Sequence, residues 1–460
     1  MKGINREILR LALPSILANL TVPLVGMVDI AVAGHLGSVE PVETATLIGG
    51  ITIGSLLFDL LYWNFAFLRI STGGLVAQAF GRGDLKECAD AFVRSVFLAL
   101  LLSVAVLAIQ WPFQKLAFLV VRTSPEVHDL ALRYFFIRIW AAPATLSLMA
   151  FRGWFVGMQD SVSSMLTDLT VNVVNIIASI LFARGVFSWK GMGYDGIAAG
   201  TVVAQYSGLL LASLIVALKY RKIKFSFAGL DRKKLRSLMS MNTDLFIRSV
   251  CFIAIYVGFT TISARYGDVF LSAGAILMKI LMLFSFFTDG FAYSGEALTG
   301  RFIGEGNSEG LSATVKYVFL WSMGVAALFM VLYGIAGEWV VRVMTSDVQV
   351  AEACGHFLWW LLLMPPLGCA AFAWDGIYEG ATAAKAVRNA MLLSFGAFFG
   401  VYLAGVHIFG IPSSGDDSQL DIAAMNLLMA AYFAHLVARA VYLTLRYRTD
   451  VAQSCKKGNQ

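Results

Sequence analysis

Most of this chain is written in apolar runs of 20 or more residues, parted by short polar stretches. A run of that length spans the roughly 30 Å apolar core of a bilayer as a helix. The pattern predicts twelve crossings, near 8–33, 45–68, 91–120, 131–156, 163–185, 195–219, 238–263, 269–300, 312–343, 351–380, 386–410 and 421–446. Within the first, one carboxylate interrupts the run, with Asp29 between Val28 and Ile30. An Asp at mid-membrane costs roughly 2.5 to 3.5 kcal/mol on insertion scales, so Asp29 must face a partner or a cavity. Pro14 and Pro23 each remove a backbone hydrogen bond from the same helix and can bend it.

Polar residues in the other spans are patterned too. In the fifth crossing Asp168, Asn172, Asn175 and Ser179 recur at i, i+4, i+7 and i+11, a polar stripe that must face protein or water. Thr201, in the GIAAGT start of the sixth crossing, is placed to approach it. Interhelical hydrogen-bond glue is the plainer explanation for such a stripe. In the second half Asp244 and Arg248 stand at i, i+4 and predict a helical ion pair. Asp289 and Glu296, seven apart, share a face of the eighth crossing, and Arg69, Lys279, Arg152 and Asp375 add charge within spans. These read as an internal salt-bridge network more than as a second coupling site.

The chain also repeats. Gly81 and Gly304, Gly83 and Gly306, Pro143 and Pro366, Gly153 and Gly376, and Gly157 and Gly380 are each separated by 223 residues. AFGRGD (79–84) parallels FIGEGN (302–307), and RTSPEV (122–127) parallels MTSDVQ (344–349). The reading is an N-terminal lobe at 1–220, a basic linker at 221–236 and a C-terminal lobe at 237–460. Six helices each give the two lobes one topology, related by an axis along the membrane normal, with a cavity between them.

Composition supports this picture. The chain is 58% hydrophobic and 14% charged, with mean hydropathy +0.75, too apolar for a soluble chain of 460 residues. The formal charge of +6 comes from Lys and Arg beside the apolar runs. They gather at the N-terminus (Lys2, Arg6, Arg10), in the linker (Arg221, Lys222, Lys224, Arg232, Lys233, Lys234, Arg236) and in the tail. The stretches GHLGSVEPVE and IPSSGDDSQLD have none. Both termini and the linker are therefore expected in the cytoplasm, with the basic residues a topology signal and no nucleic-acid partner. The start MKGINREILR is expected to be a retained first helix.

Five scattered cysteines, with no C-x-x-C pair, point to neither a disulfide framework nor a metal site. No HExxH, GxSxG triad or Walker sequence is present, so no enzymatic arrangement competes and no cofactor is expected. Transport without a nucleotide motif would have to be driven by an ion gradient. The many Phe, Trp and Met residues could line an adaptable cavity for lipophilic cations.

In the order in which they occur, several segments resemble one known family: LRLALPSILANL with VDIAVAGHLG, FLRISTGGLVAQAFGRGD, RGWFVGMQDS, NTDLFIRS, TDGFAYSGEALTGRFIGEGN and WDGIYEGAT. Over nearly its whole length the chain resembles multidrug and toxic compound extrusion (MATE) transporters of the DinF-like subgroup. The resemblance implies an all-α integral membrane protein of the inner membrane, with twelve helices in two pseudo-symmetric lobes. It implies alternating access and efflux of small organic cations or amphipathic drugs in exchange for a cation. It puts the coupling acid at Asp29, the bending proline at Pro14, the fifth-crossing asparagine at Asn175 and the sixth-crossing threonine at Thr201. Archaeal-type relatives have a second acid where this chain has Ser179, which tilts the coupling ion toward H⁺, though Asp29, Asn175 and Thr201 oxygens could still hold Na⁺. A monomer is expected. A lipid-linked sugar or lipid flippase of the same superfamily fold is the nearest alternative.

A buried carboxyl can hold a proton in one conformation and release it in another. Protonation of Asp29 would then change its bonding to Asn172 and Asn175 and rebend the first helix.

Overall fold

In a computed structural model, residues 2–36, 43–120, 123–185, 189–226, 230–345, 347–410 and 418–457 are described. The loops free of Lys and Arg fall largely outside these residues, as do Arg122 and Ser346 of the paralleled pair of segments. The described residues form helices and no strand. Twelve of these helical stretches are long and apolar enough to cross a membrane.

Several crossings differ in detail from the periodicity. The second extends over Thr44–Gly81 and consists of α2 (Thr44–Tyr62), a 3₁₀ turn and α3 (Phe67–Gly81). The fourth, Pro125–Gly157, is likewise α5 (Pro125–Arg138), a 3₁₀ turn and α6 (Ala142–Gly157). Only the third (α4, Leu85–Val120), fifth (α7, Ser161–Arg184) and sixth (α8, Tyr194–Lys219) of that half are single helices following α1 (Lys2–Leu36).

In the second half come α9 (Arg232–Ser263), α10 (Asp268–Glu305) and α11 (Ser308–Met344), then a short α12 (Val348–Gly355). The tenth crossing begins only at α13 (Leu358–Gly380), seven residues later than the apolar pattern suggests. The cause is local: Asp347 Oδ1 accepts the Gln349 N–H at 2.8 Å and starts α12, which stops before Phe357. The chain ends with α14 (Ala384–Phe409), α15 (Ser418–Tyr447) and, after a π turn, α16 (Gln453–Lys457).

The chain divides into two compact units, one of Leu17–Leu238 and one of Met1–Ile16 with Met239–Gln460. The second boundary falls beside the basic linker. The first cuts α1 between Pro14 and Pro23, although the helix is unbroken through both prolines. The Met1–Ile16 end packs with the C-terminal residues: a Cβ on Gly290 would strike Ile16, Asn5 Oδ1 accepts from Trp321 Nε1 at 2.6 Å, and Glu7 pairs with Arg301 at 3.4 Å.

The 223-residue repeat is a repeat of packing. In the N-terminal unit, a Cβ on Gly153 or Gly157 of α6 would strike the backbone oxygens of Arg69 and Gly73 on α3, along with the Thr72 and Val76 side chains. In the other unit a Cβ on Gly376 or Gly380 of α13 would strike the backbone oxygens of Ala292 and Glu296 on α10. All four pairs obey the offset. Gln159 (φ 59°) and Thr382 (φ 55°), left-handed without being glycine, are also 223 apart. So are the helix caps Asp84, which accepts the Glu87 N–H at 2.9 Å, and Asn307, which accepts that of Gly310 at 2.8 Å.

Candidate functional site

The site in the N-terminal unit begins with glycines. On α8, Gly196, Gly200, Ala204 and Gly208 recur every four residues, a small-residue stripe of the kind that lets membrane helices approach backbone to backbone. A Cβ on Gly200 would lie 2.5 Å from the Ser179 nitrogen, and one on Gly196 would lie 2.5 Å from the Phe182 oxygen. That approach presses α7 onto α8. It lets Asn175 Nδ2 donate to Thr201 Oγ1 at 2.9 Å. Ser179 Oγ lies 3.5 Å from Asn175 Oδ1 and 3.4 Å from the Ile197 carbonyl, which also accepts from Thr201 Oγ1 at 3.3 Å.

Asp29 of α1 joins this chain of hydroxyls and amide through Ser179, whose hydroxyl is within hydrogen-bonding reach of its carboxylate. Asp29 is only 5% exposed, and its Oδ1 has no hydrogen-bond partner among the described residues. About two turns before Ser179 on α7, Asn172 Nδ2 donates to Thr21 Oγ1 of α1 at 2.5 Å. Of the predicted stripe, Asn172 and Ser179 thus face α1 and Asn175 faces α8. The fourth, Asp168, is held elsewhere, 2.5 Å from the Nε of Arg152. Pro23 lies between Thr21 and Asp29 on α1, and Pro14 lies outside this unit.

Sequence reasoning passed over the cation of the site. Arg138, the last residue of α5, acts electrostatically on Asp29, Asp59 and Tyr62. Its Nη1 lies 3.0 Å from the Tyr134 hydroxyl and its Cζ lies 4.7 Å from the centre of the Phe58 ring. The signal was present in RYFFIRIW, an arginine within an apolar crossing, four residues after a tyrosine. The Tyr134 ring has its place because α2 carries glycine opposite it; a Cβ on Gly54 would lie 2.6 Å from Tyr134 Cδ1.

The oxygens of Asp29, Asn175, Ser179, Thr201 and the Ile197 carbonyl are the hard donors that a Na⁺ would take, with one formal negative charge among them. Groups of three or more His, Cys, Asp or Glu side chains able to hold a metal ion do not occur among the described residues.

The second-half charges are arranged otherwise. The expected Asp244–Arg248 pair is replaced by pairs across helices. Asp244 Oδ1 lies 2.5 Å from Arg388 Nη1, while Arg248 reaches Asp375 at 2.9 Å and Glu379 at 3.3 Å. Arg439, 2% exposed, closes on the same Asp375 oxygen at 3.2 Å. Arg248 of α9 thus finds its acids on α13, and Asp244 finds its base on α14. Glu296 is fully buried on α10, Asp289 is half-buried on the same helix, and Arg69 is half-buried on α3.

Between the fourth and fifth crossings, Asp160 caps α7. It accepts from the Ser163 hydroxyl at 2.5 Å and from Lys219 Nζ and the Tyr220 hydroxyl at 2.7 Å each. Burial works to raise the Asp160 carboxyl, but hydrogen bonds from Lys219, Ser163 and Tyr220 outweigh it and hold the group below the usual carboxylate range. Burial and the Asp160 charge push the Tyr220 hydroxyl up.

Known proteins are similar to this chain. The family model described as MatE matches residues 14–181 and 245–404. The chain is 33% identical over 397 residues to the DNA damage-inducible protein F of Escherichia coli (strain K12), covering 86% of this chain and 84% of that protein. It is 25% identical over 358 residues to the probable multidrug resistance protein NorM of Thermotoga maritima, 76% and 74% of the two chains. Its fold is similar to that of a MATE crystal structure in the bent conformation, with TM-score 0.84, 15% identity and coverage of 99% and 97%. A MOP superfamily transporter from Pyrococcus furiosus superposes with TM-score 0.82 at 16% identity, covering 96% of each chain. With its twelve apolar helices, its family match and the E. coli relative, this chain belongs to the MatE family of multidrug and toxic compound extrusion (MATE) transporters.

Proposed function

We propose that the protein is a secondary active antiporter of the inner membrane that exports cationic or amphipathic compounds by alternating access, with H⁺ as the coupling ion and Asp29 as its carrier. The observation that carries this reading is Asp29 itself, 5% exposed, with one carboxylate oxygen unpartnered among the described residues and the other groups around it mostly neutral hydroxyls and an amide. A buried oxygen of a charged carboxylate costs free energy when it accepts no bond. A proton removes that charge and creates a donor, and Asn175 and Ser179 stand ready to exchange partners in response. Na⁺ is the weaker candidate, because Asp29 is the one formal anion of the donor set and the Arg138 charge opposes a second cation beside it.

In this reading 1–220 and 237–460 act as the two lobes and 221–236 as their cytoplasmic linker. Both termini are cytoplasmic, on the strength of Lys and Arg at the N-terminus, linker and tail. The exported compounds are small organic cations or amphipathic drugs, a reading that fits a relative named as a probable multidrug resistance protein, and the chain works as a monomer. The test is dye movement in proteoliposomes with ΔpH and ΔNa⁺ imposed separately, for the wild type and Asp29→Asn. Movement driven by ΔpH and lost in the variant is expected. Movement driven by ΔNa⁺ alone would overturn the proton, and normal transport by the variant would overturn Asp29.

A further inference from the structure

Arg138 is lodged in a setting that suits a free organic cation. Its guanidinium carbon lies 4.7 Å from the centre of the Phe58 ring and 5.6 Å from that of Tyr134. The two rings stand edge to face, with centroids 6.5 Å apart and planes at 70°, so they present two walls of a box. Tyr62 stacks on Phe58 at 5.5 Å and Phe135 at 5.1 Å, and both Phe58 and Tyr134 are fully buried. The walls are therefore fixed by packing, and the negative charges of Asp29 and Asp59 act on the guanidinium.

The occupant is less constrained than its box. Arg138 is half-buried, it ends α5 where a 3₁₀ turn begins, and within the box it donates a hydrogen bond to the Tyr134 hydroxyl at 3.0 Å. An aromatic face with a carboxylate beside it attracts a guanidinium, a quaternary ammonium or a phosphonium by the same quadrupole and charge.

We propose that the Phe58–Tyr134 box beside Asp29 is a subsite for monovalent organic cations and that Arg138 is its tethered occupant, displaced when such a cation binds. The proposal rests on the reading of this chain as an exporter of organic cations. Binding then exchanges one cation for another at the box, and the Tyr134 hydroxyl helps set how readily Arg138 leaves.

The test is equilibrium fluorescence polarisation with ethidium and the purified full-length chain in detergent, without any gradient. Removing the competing charge in Arg138→Gln is expected to tighten ethidium binding about tenfold, given a like charge a few ångströms away in a medium of intermediate dielectric. Phe58→Leu in that background should erase the gain. Tyr134→Phe keeps both ring and charge and cuts the tether, and about twofold tighter binding is expected; it decides the matter where Arg138→Gln does not fold. Equal or weaker binding by Arg138→Gln, or by Tyr134→Phe if it must serve alone, overturns the proposal. If that result comes with ΔpH-driven ethidium transport by the wild type, the reading of the chain as an exporter still stands. Absence of both binding and transport in every form overturns that reading and the proposal together.

Discussion

Two buried acids, Asp375 in one unit and Asp29 in the other, are housed in opposite ways. In Met239–Gln460 the acids are cross-braced: Asp375 takes two guanidiniums, from Arg248 and Arg439, Glu379 shares Arg248, and Asp244 has Arg388. In Leu17–Leu238 Asp29 is influenced by a serine hydroxyl and by an arginine whose own contacts are to aromatic rings, and one of its oxygens is left over. Charges paired from several sides are held in one arrangement, because removing any one partner strands the others at high cost. A carboxylate with neutral neighbours can change its protonation and its partners without such a loss. The chain thus has a brace at Asp375 and, under the proposed function, a switch at Asp29.

Exchanging the carboxylates tests that contrast most sharply. Asp29→Asn is expected to abolish gradient-driven dye movement to the level of empty liposomes while leaving thermal melting in detergent close to that of the wild type. Asp375→Ala should instead destabilise the fold by about 3–5 kcal/mol, since it leaves Arg248 and Arg439 without their shared partner in a buried site. Melting temperature and detergent-extracted yield would report it. If Asp375→Ala melted normally and Asp29→Asn did not, the assignment of brace and switch would be reversed.

A smaller effect concerns Asp160, a braced acid outside the apolar spans. Replacing it with Asn loses charge-assisted hydrogen bonds from Lys219 and Tyr220, worth about 1.5–3 kcal/mol together. Because the folded carboxyl lies below its ordinary value, its contribution is full above the unfolded pKa of about 3.9 and disappears as the pH falls through the folded one. The melting difference between wild type and Asp160→Asn should therefore be constant near pH 7 and shrink below about pH 4. A difference that grew on acidification would contradict the bonding described. The smallest effect is expected for Thr201→Val, which removes one interhelical bond to Asn175, about 0.6 kcal/mol. A rise in the dye concentration for half-maximal transport with little change in melting would place that bond with the switch.

Much of this was legible in the sequence. Asp29 declared itself because a lone carboxylate in a run of apolar residues has no cheap explanation in a bilayer. The stripe on α7 followed from helical spacing, and three of its four members do meet α1 or α8. Asp168 shares that face yet belongs to Arg152, because residues of one face reach different neighbours at different depths along a helix. The Asp244–Arg248 pair failed for a related reason: spacing on one helix names the partners within reach, but a neighbouring helix can bring better ones. Arg138 escaped notice because its partners are aromatic rings 80 and 4 residues away along the chain, and a cation–π contact leaves no periodic trace.

By itself, then, the sequence determined the number of crossings, the 223-residue repeat and the presence of one costly acid in the first helix. These depend on hydrophobic length, glycine placement and the energy of a charge in hydrocarbon, all of which are local properties of the chain. The partner of each charge was decided only by tertiary structure. Arg248 and Asp375 lie 127 residues apart, Arg439 joins them from a third helix, and Asn175 finds Thr201 because glycines on α8 let two backbones touch. Pairing energies fall off within a few ångströms, so which charges are paired, and with which partners, is fixed by packing alone.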